Sequence, residues 1–307
     1  MKKTEIKKTF FEKGAKAFQK ITGYGHRCYC CPICKKIFPF QALESGVLTL
    51  EHVPPEKLGG KPIALTCMQC NSTAGYSIDA AIVNRDKLNK SVEALVRKKG
   101  NYEGKYSLKM GGETINVNLE VHDGNVTIKP PKEINNPVKL SFLKDYIMRL
   151  HKEGRCDGEE FRLSPQITYH HSLSKIGDLK TAFLVCFSFF GYSYILNDRL
   201  TKVREQIIEY NDTLLEWYWI LSDEKVKDEY AIFLLNKPIS VIAVKIGKIT
   251  ILLPWFNGHE DIYGFFANNY ANGNSIPFSG NRLPWPETLE MRLDFSNAQN
   301  NQLNMDG

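Results

Sequence analysis

The period of the hydrophobic positions changes several times along the chain, and each change marks a new element. Residues 4–21 repeat at helical spacing. Ile6, Phe10, Ala17 and Ile21 fall near one face and lysines fill the other, which predicts an amphipathic helix ended by Gly23 and Gly25. Residues 28–36, CYCCPICKK, read as a tight knuckle. Residues 47–53, VLTLEHV, alternate as a strand; 54–62 form a loop marked by paired prolines and Gly59-Gly60; 63–66 make a short second strand. A helix capped by Asn71 or Ser72 comes next. A further helical pattern covers 78–98 on Ile78, Ala81, Ile82, Leu88, Val92 and Leu95.

From Gly100 the period drops to two. KYSLKM, ETINVNLEV and NVTIKP are joined by Gly111-Gly112 and Asp123-Gly124, which predicts an antiparallel meander over 104–129. Pro130, Pro131 and Asn135-Asn136-Pro137 read as a linker. Beyond it the pattern predicts a helix at 139–152, a strand in EEFRLSPQITY, and helices at 173–190 and 198–210, the first strongly apolar. Short β runs follow at 229–235, 239–246 and 248–254, then a frayed polar end, NAQNNQLNMDG. Helices and strands do not alternate as βαβ units, so the expected class is α+β. The expected segments are 1–99, 100–136 (meander and linker) and 137–307 (a separate α+β domain).

Composition narrows the class. With 307 residues, 43% hydrophobic and 24% charged, the chain has the balance of a soluble globular protein of two or three domains. No apolar run approaches the roughly 18–20 residues of a membrane span, and the basic N-terminus has no apolar stretch of the kind a secretory signal carries. The net charge of +6 is unevenly placed: residues 1–36 hold ten Lys or Arg against two Glu. Such an arm suits a nucleic-acid backbone; the plainer alternative is a solvated helix face.

Six of the eight cysteines lie between Cys28 and Cys70, while Cys156 and Cys186 stand alone. Clustered Cys-x-x-Cys pairs without a secretion signal favour a metal over disulfides and a reducing cytoplasm. Cys31-x-x-Cys34 and Cys67-x-x-Cys70 would together complete a tetrahedral, closed, structural Zn²⁺ site. Cys28-x-x-Cys31 is also a legal pair; Cys31 and Cys34 are preferred because the Pro32 turn leads directly into Lys35-Lys36.

Between the two cysteine pairs lies Glu51-His52. Adjacent residues on a strand point to opposite faces unless the strand end twists or bulges. Given such a break, Glu51 could bind a hard cation such as Mg²⁺, with Asn71 adding a carbonyl oxygen, and His52 could take a proton from water. Glu51-His52-Val53-Pro54, Gly59-Gly60 and Cys67-Met68-Gln69-Cys70-Asn71 together resemble the core of the HNH (ββα-metal) endonucleases of the zinc-knuckle kind, over about residues 28–80.

The resemblance implies a zinc-stabilised ββα-metal finger hydrolysing phosphodiester bonds, with DNA the expected partner, in a bacterial defence setting. It implies His52 as general base, and Glu51 and Asn71 as ligands of Mg²⁺ or another divalent cation. Two positions depart from the family pattern. Pro62 stands where relatives carry an Asn that orients the base, and Ala74-Gly75 stands where a Lys usually follows.

Elsewhere, His170-His171 cannot easily share an ion on a strand and reads as surface or structural. Asp79 reads as a helix-face carboxylate, and Tyr192, Tyr194, Trp217, Tyr218 and Trp219 as core. The rival from another class is a non-cleaving, zinc-dependent nucleic-acid-binding or ligand-sensing regulatory protein, with residues 137–307 meeting a protein partner or ligand.

Overall fold

The computed structural model describes residues 2–154, 161–222, 227–256, 261–270 and 277–292, with the backbone alone at 73–75 and 270. Cys156 and the polar C-terminal end lie outside the described residues.

The chain mixes helix and sheet. Helix α1 (Lys3–Thr22) leads to the hairpin β1 (Cys28–Cys30) and β2 (Ile37–Pro39), then a short α2 (Gln41–Glu44). The pair β3 (Leu48–Val53) and β4 (Lys61–Cys67) follows, then α3 (Met68–Ala74), a π-helical turn over Gly75–Asp79, and α4 (Ala80–Leu95). Next come β5 (Tyr102–Met110), β6 (Glu113–His122), β7 (Asn125–Lys129), α5 (Pro137–Lys152) and β8 (Arg162–Pro165). The chain continues with α6 (His171–Phe190), α7 (Tyr192–Ile195), α8 (Thr201–Ile208), β9 (Trp219–Leu221), β10 (Tyr230–Lys237), β11 (Val241–Ile246), β12 (Ile249–Pro254), α9 (Ile262–Tyr270) and β13 (Ser279–Leu283). None of the described helices is long and apolar enough to cross a membrane.

Two compact units result: residues 84–169, and residues 1–83 together with 170–307. Their edges differ from the boundaries expected at 99/100 and 136/137. Periodicity tells which face of an element is apolar but not which element covers it.

In the unit of residues 84–169 the sheet order is β7-β6-β5-β8, all antiparallel. Its core, Tyr106, Leu108, Ile115, Val117, Leu119 and Val121, takes in Leu143 of α5. The expected meander therefore extends through the linker to α5 and β8. Asn135 ties the linker down: its side-chain Oδ1 accepts from Asn116 N at 2.7 Å and its Nδ2 donates to Asn116 O at 2.7 Å.

In the other unit one core runs from Phe10, Phe11 and Phe18 of α1 through Tyr29, Leu48, Ile63 and Leu65 to α6 and the sheet β13-β10-β11-β12-β9. The cysteine-bearing hairpins and the C-terminal region are thus one body, where two separate domains were expected. Tyr192 shows how they are joined. Its hydroxyl donates to Cys30 O at 2.7 Å and accepts from Cys30 N at 3.1 Å, while its ring packs edge-on against Phe18. The buried face of α1 is Phe10, Phe11, Gly14, Ala15 and Phe18; of the face expected from periodicity, Phe10 lies within it and Ile6, Ala17 and Ile21 pack, partly buried, against the same core.

Helix α6 is buried on every side from Ile176 to Phe190, which explains its near-continuous apolar sequence. Gly177 lets it pass against the π-turn. A Cβ there would meet Ile78 O at 2.9 Å and Ile82 Cδ1 at 2.6 Å.

Candidate functional site

Two clusters lie on β3, β4 and α3. The first is sulfur. Cys31 follows β1, Cys34 lies in the turn before β2, Cys67 ends β4 and Cys70 sits one turn into α3. Their four Sγ atoms lie within 4.8 Å of one another, a set positioned to bind a metal ion. Tetrahedral Zn–S bonds of about 2.3 Å would place the sulfurs about 3.8 Å apart; Cys34 and Cys67 Sγ are 3.7 Å apart. Cys67 N donates to Cys31 Sγ at 3.4 Å. Hydrogen bonds from Cys31 hold Cys34 down to about 7 and hold Cys67 well below its ordinary range. Cys31, chiefly through burial, and Cys70 are pushed the other way, whereas a soft cation requires thiolates. Cys28, on β1, is outside the set, so the Cys31/Cys34 pairing is the one the fold assembles.

The second cluster surrounds a pocket of about 380 Å³ lined by Leu50, Glu51, His52, Asn71, Asp79 and the α1 lysines Lys3 and Lys7, among others. β3 and β4 pair regularly as far as Glu51 opposite Ala64. The register then shifts, and His52 lies opposite Pro62. An irregularity of this kind re-aims side chains, and here it brings the side chains of two neighbouring residues to one pocket. The loop after it closes tightly: a Cβ on Gly60 would lie 1.5 Å from Pro54 O, so only glycine fits. Asn71 fastens α3 to the strand, its Nδ2 donating to Thr49 Oγ1 at 2.8 Å and to Leu50 O at 3.2 Å.

His52 is half-buried, and burial lowers its pKa below the ordinary 6.5, with nearby Lys3 adding to the effect and Glu56 opposing it. It is therefore neutral at pH 7 and able to accept a proton. No hydrogen bond to the ring is made among the described residues. Lys3 and Glu56 form an ion pair of 3.6 Å at the mouth.

Sequence reasoning missed Lys180. Its ammonium, on a side chain 2% exposed, lies 2.7 Å from Glu51 Oε1 and 2.9 Å from Asp79 Oδ2. Burial alone would lower the Lys180 pKa; the two carboxylates outweigh it and hold the charge. Burial pushes Asp79 up to about 6, with Lys180 opposing the shift and Glu51 adding to it. Glu51 Oε2 accepts from the buried hydroxyl of Thr66 at 2.9 Å. Asp79, first read as a helix-face carboxylate, is drawn inward by the π-turn. The single lysine within the buried stretch 176–190 of α6 was the available signal, since a fully buried lysine needs a carboxylate.

The donor set does not fit the expected hard cation as it stands. Mg²⁺ enters sites of this kind through free carboxylate oxygens at about 2.0–2.1 Å. Here Glu51 Oε1 and both Asp79 oxygens already meet one ammonium.

The remaining candidates are peripheral. His170 and His171 are exposed at the start of α6. Tyr192, Tyr194 and Tyr218 are core residues, Trp219 is half-buried and Trp217 is exposed. A separate cavity of about 410 Å³, lined by Lys175, Gln206, Glu216, Trp217 and Trp219 among others, lies between α6 and β9. Comparison with family models, with curated proteins and with solved structures finds no match for the chain.

Proposed function

We propose that the protein is a phosphodiester hydrolase of the HNH type acting on DNA, with a structural zinc ion held by Cys31, Cys34, Cys67 and Cys70. His52 is the general base that takes the proton from the attacking water. Lys3 and Lys7, on the same pocket, supply positive charge to the phosphate, and Asn71 positions the strand end that carries the base. The observation that carries this reading is the register shift between Glu51 and His52, which gives the Glu-His pair a shared pocket beside the cysteine cluster. A divalent cation on Glu51 and Asn71, which the family resemblance implies, would require Lys180 to withdraw from Glu51, so no step is routed through it.

One observation favours the rival, a non-cleaving nucleic-acid-binding protein: Glu51, the residue beside the base, is neutralised by a buried lysine. Plasmid cleavage separates the two, run with and without Mg²⁺, wild type beside His52→Ala. Cleavage is expected to fall by about 10²–10⁴-fold in the variant, the usual worth of a general base, with folding, bound zinc and DNA affinity unchanged. Cleavage that survives the substitution would move the active site elsewhere. Salt-dependent DNA binding by a wild type that never cuts would establish the rival.

A further inference from the structure

The Glu51–Lys180–Asp79 cluster joins three parts of the chain that are remote in sequence: a strand end, a π-turn and the middle of the most buried helix. Two carboxylates converge on one point there. In a metal site that point holds the cation. Here it holds Nζ of Lys180, 2.7 Å from Glu51 Oε1 and 2.9 and 3.2 Å from the two oxygens of Asp79. The three contacts use the three protons of the ammonium. Thr66 takes the remaining Glu51 oxygen. Glu51 and Asp79 line the pocket that also holds His52 and Asn71, so the cluster forms its charged floor.

We infer that the Lys180 ammonium is a built-in replacement for a divalent cation, and that the wild-type pocket binds no metal ion through Glu51. The argument is electrostatic and geometric. A divalent ion seated on Glu51 Oε1 would lie within a few ångströms of a charge that cannot move away, because Lys180 is enclosed by the core on a helix buried along its length. Like charges a few ångströms apart repel strongly in a partly desolvated site, and a divalent ion doubles that repulsion. Releasing Lys180 would instead leave a buried ammonium without a partner. The inference deepens the proposed function by making the reaction independent of a hydrolytic metal. It rests on that reading only as far as catalysis is concerned, since occupancy of the carboxylate pair is measurable without any cleavage.

The test uses the full-length, zinc-loaded chain and Mn²⁺ as probe. The readouts are the free-Mn²⁺ signal in electron paramagnetic resonance and paramagnetic broadening of the His52 imidazole resonances. Wild type is expected to show no His52 broadening at millimolar Mn²⁺, and Glu51→Gln is expected to change nothing. Lys180→Met, which uncovers both carboxylates, is expected to gain one Mn²⁺ bound at least about tenfold more tightly than anything in wild type, and Lys180→Met/Glu51→Gln to lose it.

Wild-type binding beside His52 that weakens in Glu51→Gln would overturn the inference, whether or not the protein cleaves DNA. So would a folded Lys180→Met that binds no more Mn²⁺ than wild type. Should Lys180→Met fail to fold, the wild type and Glu51→Gln comparison decides alone. Failure of the nuclease reading appears separately, as loss of the His52 dependence of cleavage.

Discussion

The sulfur cluster and the lysine-centred cluster lie in the same compact unit, on the paired strands β3 and β4 and the helices next to them, yet they solve opposite problems. Four thiols set within 4.8 Å of one another are positioned to bind a metal ion, a charge the chain itself does not supply. The two carboxylates Glu51 and Asp79 have their cation supplied by the chain. The first takes its charge balance from solution and is therefore open to chelation. The second carries its own, with Lys180 and Glu51 side chains 2% and 4% exposed and Asp79 19% exposed at the pocket.

Three measurements sharpen or break this contrast. The largest effect is expected at the sulfur cluster. Apparent zinc contributions in small metal-folded domains reach about 10–16 kcal/mol, comparable to the whole net stability of a domain, about 5–15 kcal/mol. Cys67→Ser is expected to cost the unit its cooperative unfolding transition in calorimetry and about one bound zinc per chain. Folded, zinc-free protein would refute the metal reading.

Lys180→Met comes next, at about 3–5 kcal/mol in chemical denaturation, the cost of leaving one partner of a buried pair alone. Divalent cations at millimolar concentration should recover part of that loss in the variant and none in wild type.

The smallest effect is on pH. Burial holds the His52 pKa below 6.5, and a base works when unprotonated. Cleavage should therefore rise with pH through a midpoint below 6.5 and stay level through neutrality. A midpoint above 6.5 would mean that another group carries the limb, or that the pocket's charge differs from the one drawn here.

The contrast also explains what the sequence displayed. The cysteine set was legible because each knuckle is local, two thiols three residues apart in a tight turn, and only the pairing of turns was long-range. The meander was legible for the same reason: Gly111-Gly112 and Asp123-Gly124 specify their own hairpins. The Glu51-His52 pair was visible as residue types, but the register shift that brings both to one pocket depends on how β4 meets β3 from Pro62 onward. Nothing in residues 49–53 encodes that. Lys180 was hidden further still. Its partner Asp79 is 101 residues away, and it turns inward through a π-turn that helical periodicity does not foresee. The body formed by residues 1–83 and 170–307 was missed because each apolar face announces a need for cover without naming the cover.

The interrupted layout of that body sets an order of events during synthesis. All four cysteines have been synthesised by Cys70, whereas Lys180 follows about 110 residues later, a delay of roughly 5–20 s at about 5–20 residues per second. Residues 84–169, with their short-range hairpins, have time to fold in the interval. If the sulfur set takes a metal, it can do so while still accessible, and Glu51 and Asp79 wait, hydrated, for their counter-charge. Only when α6 arrives does Tyr192 latch onto Cys30 and close the core over both.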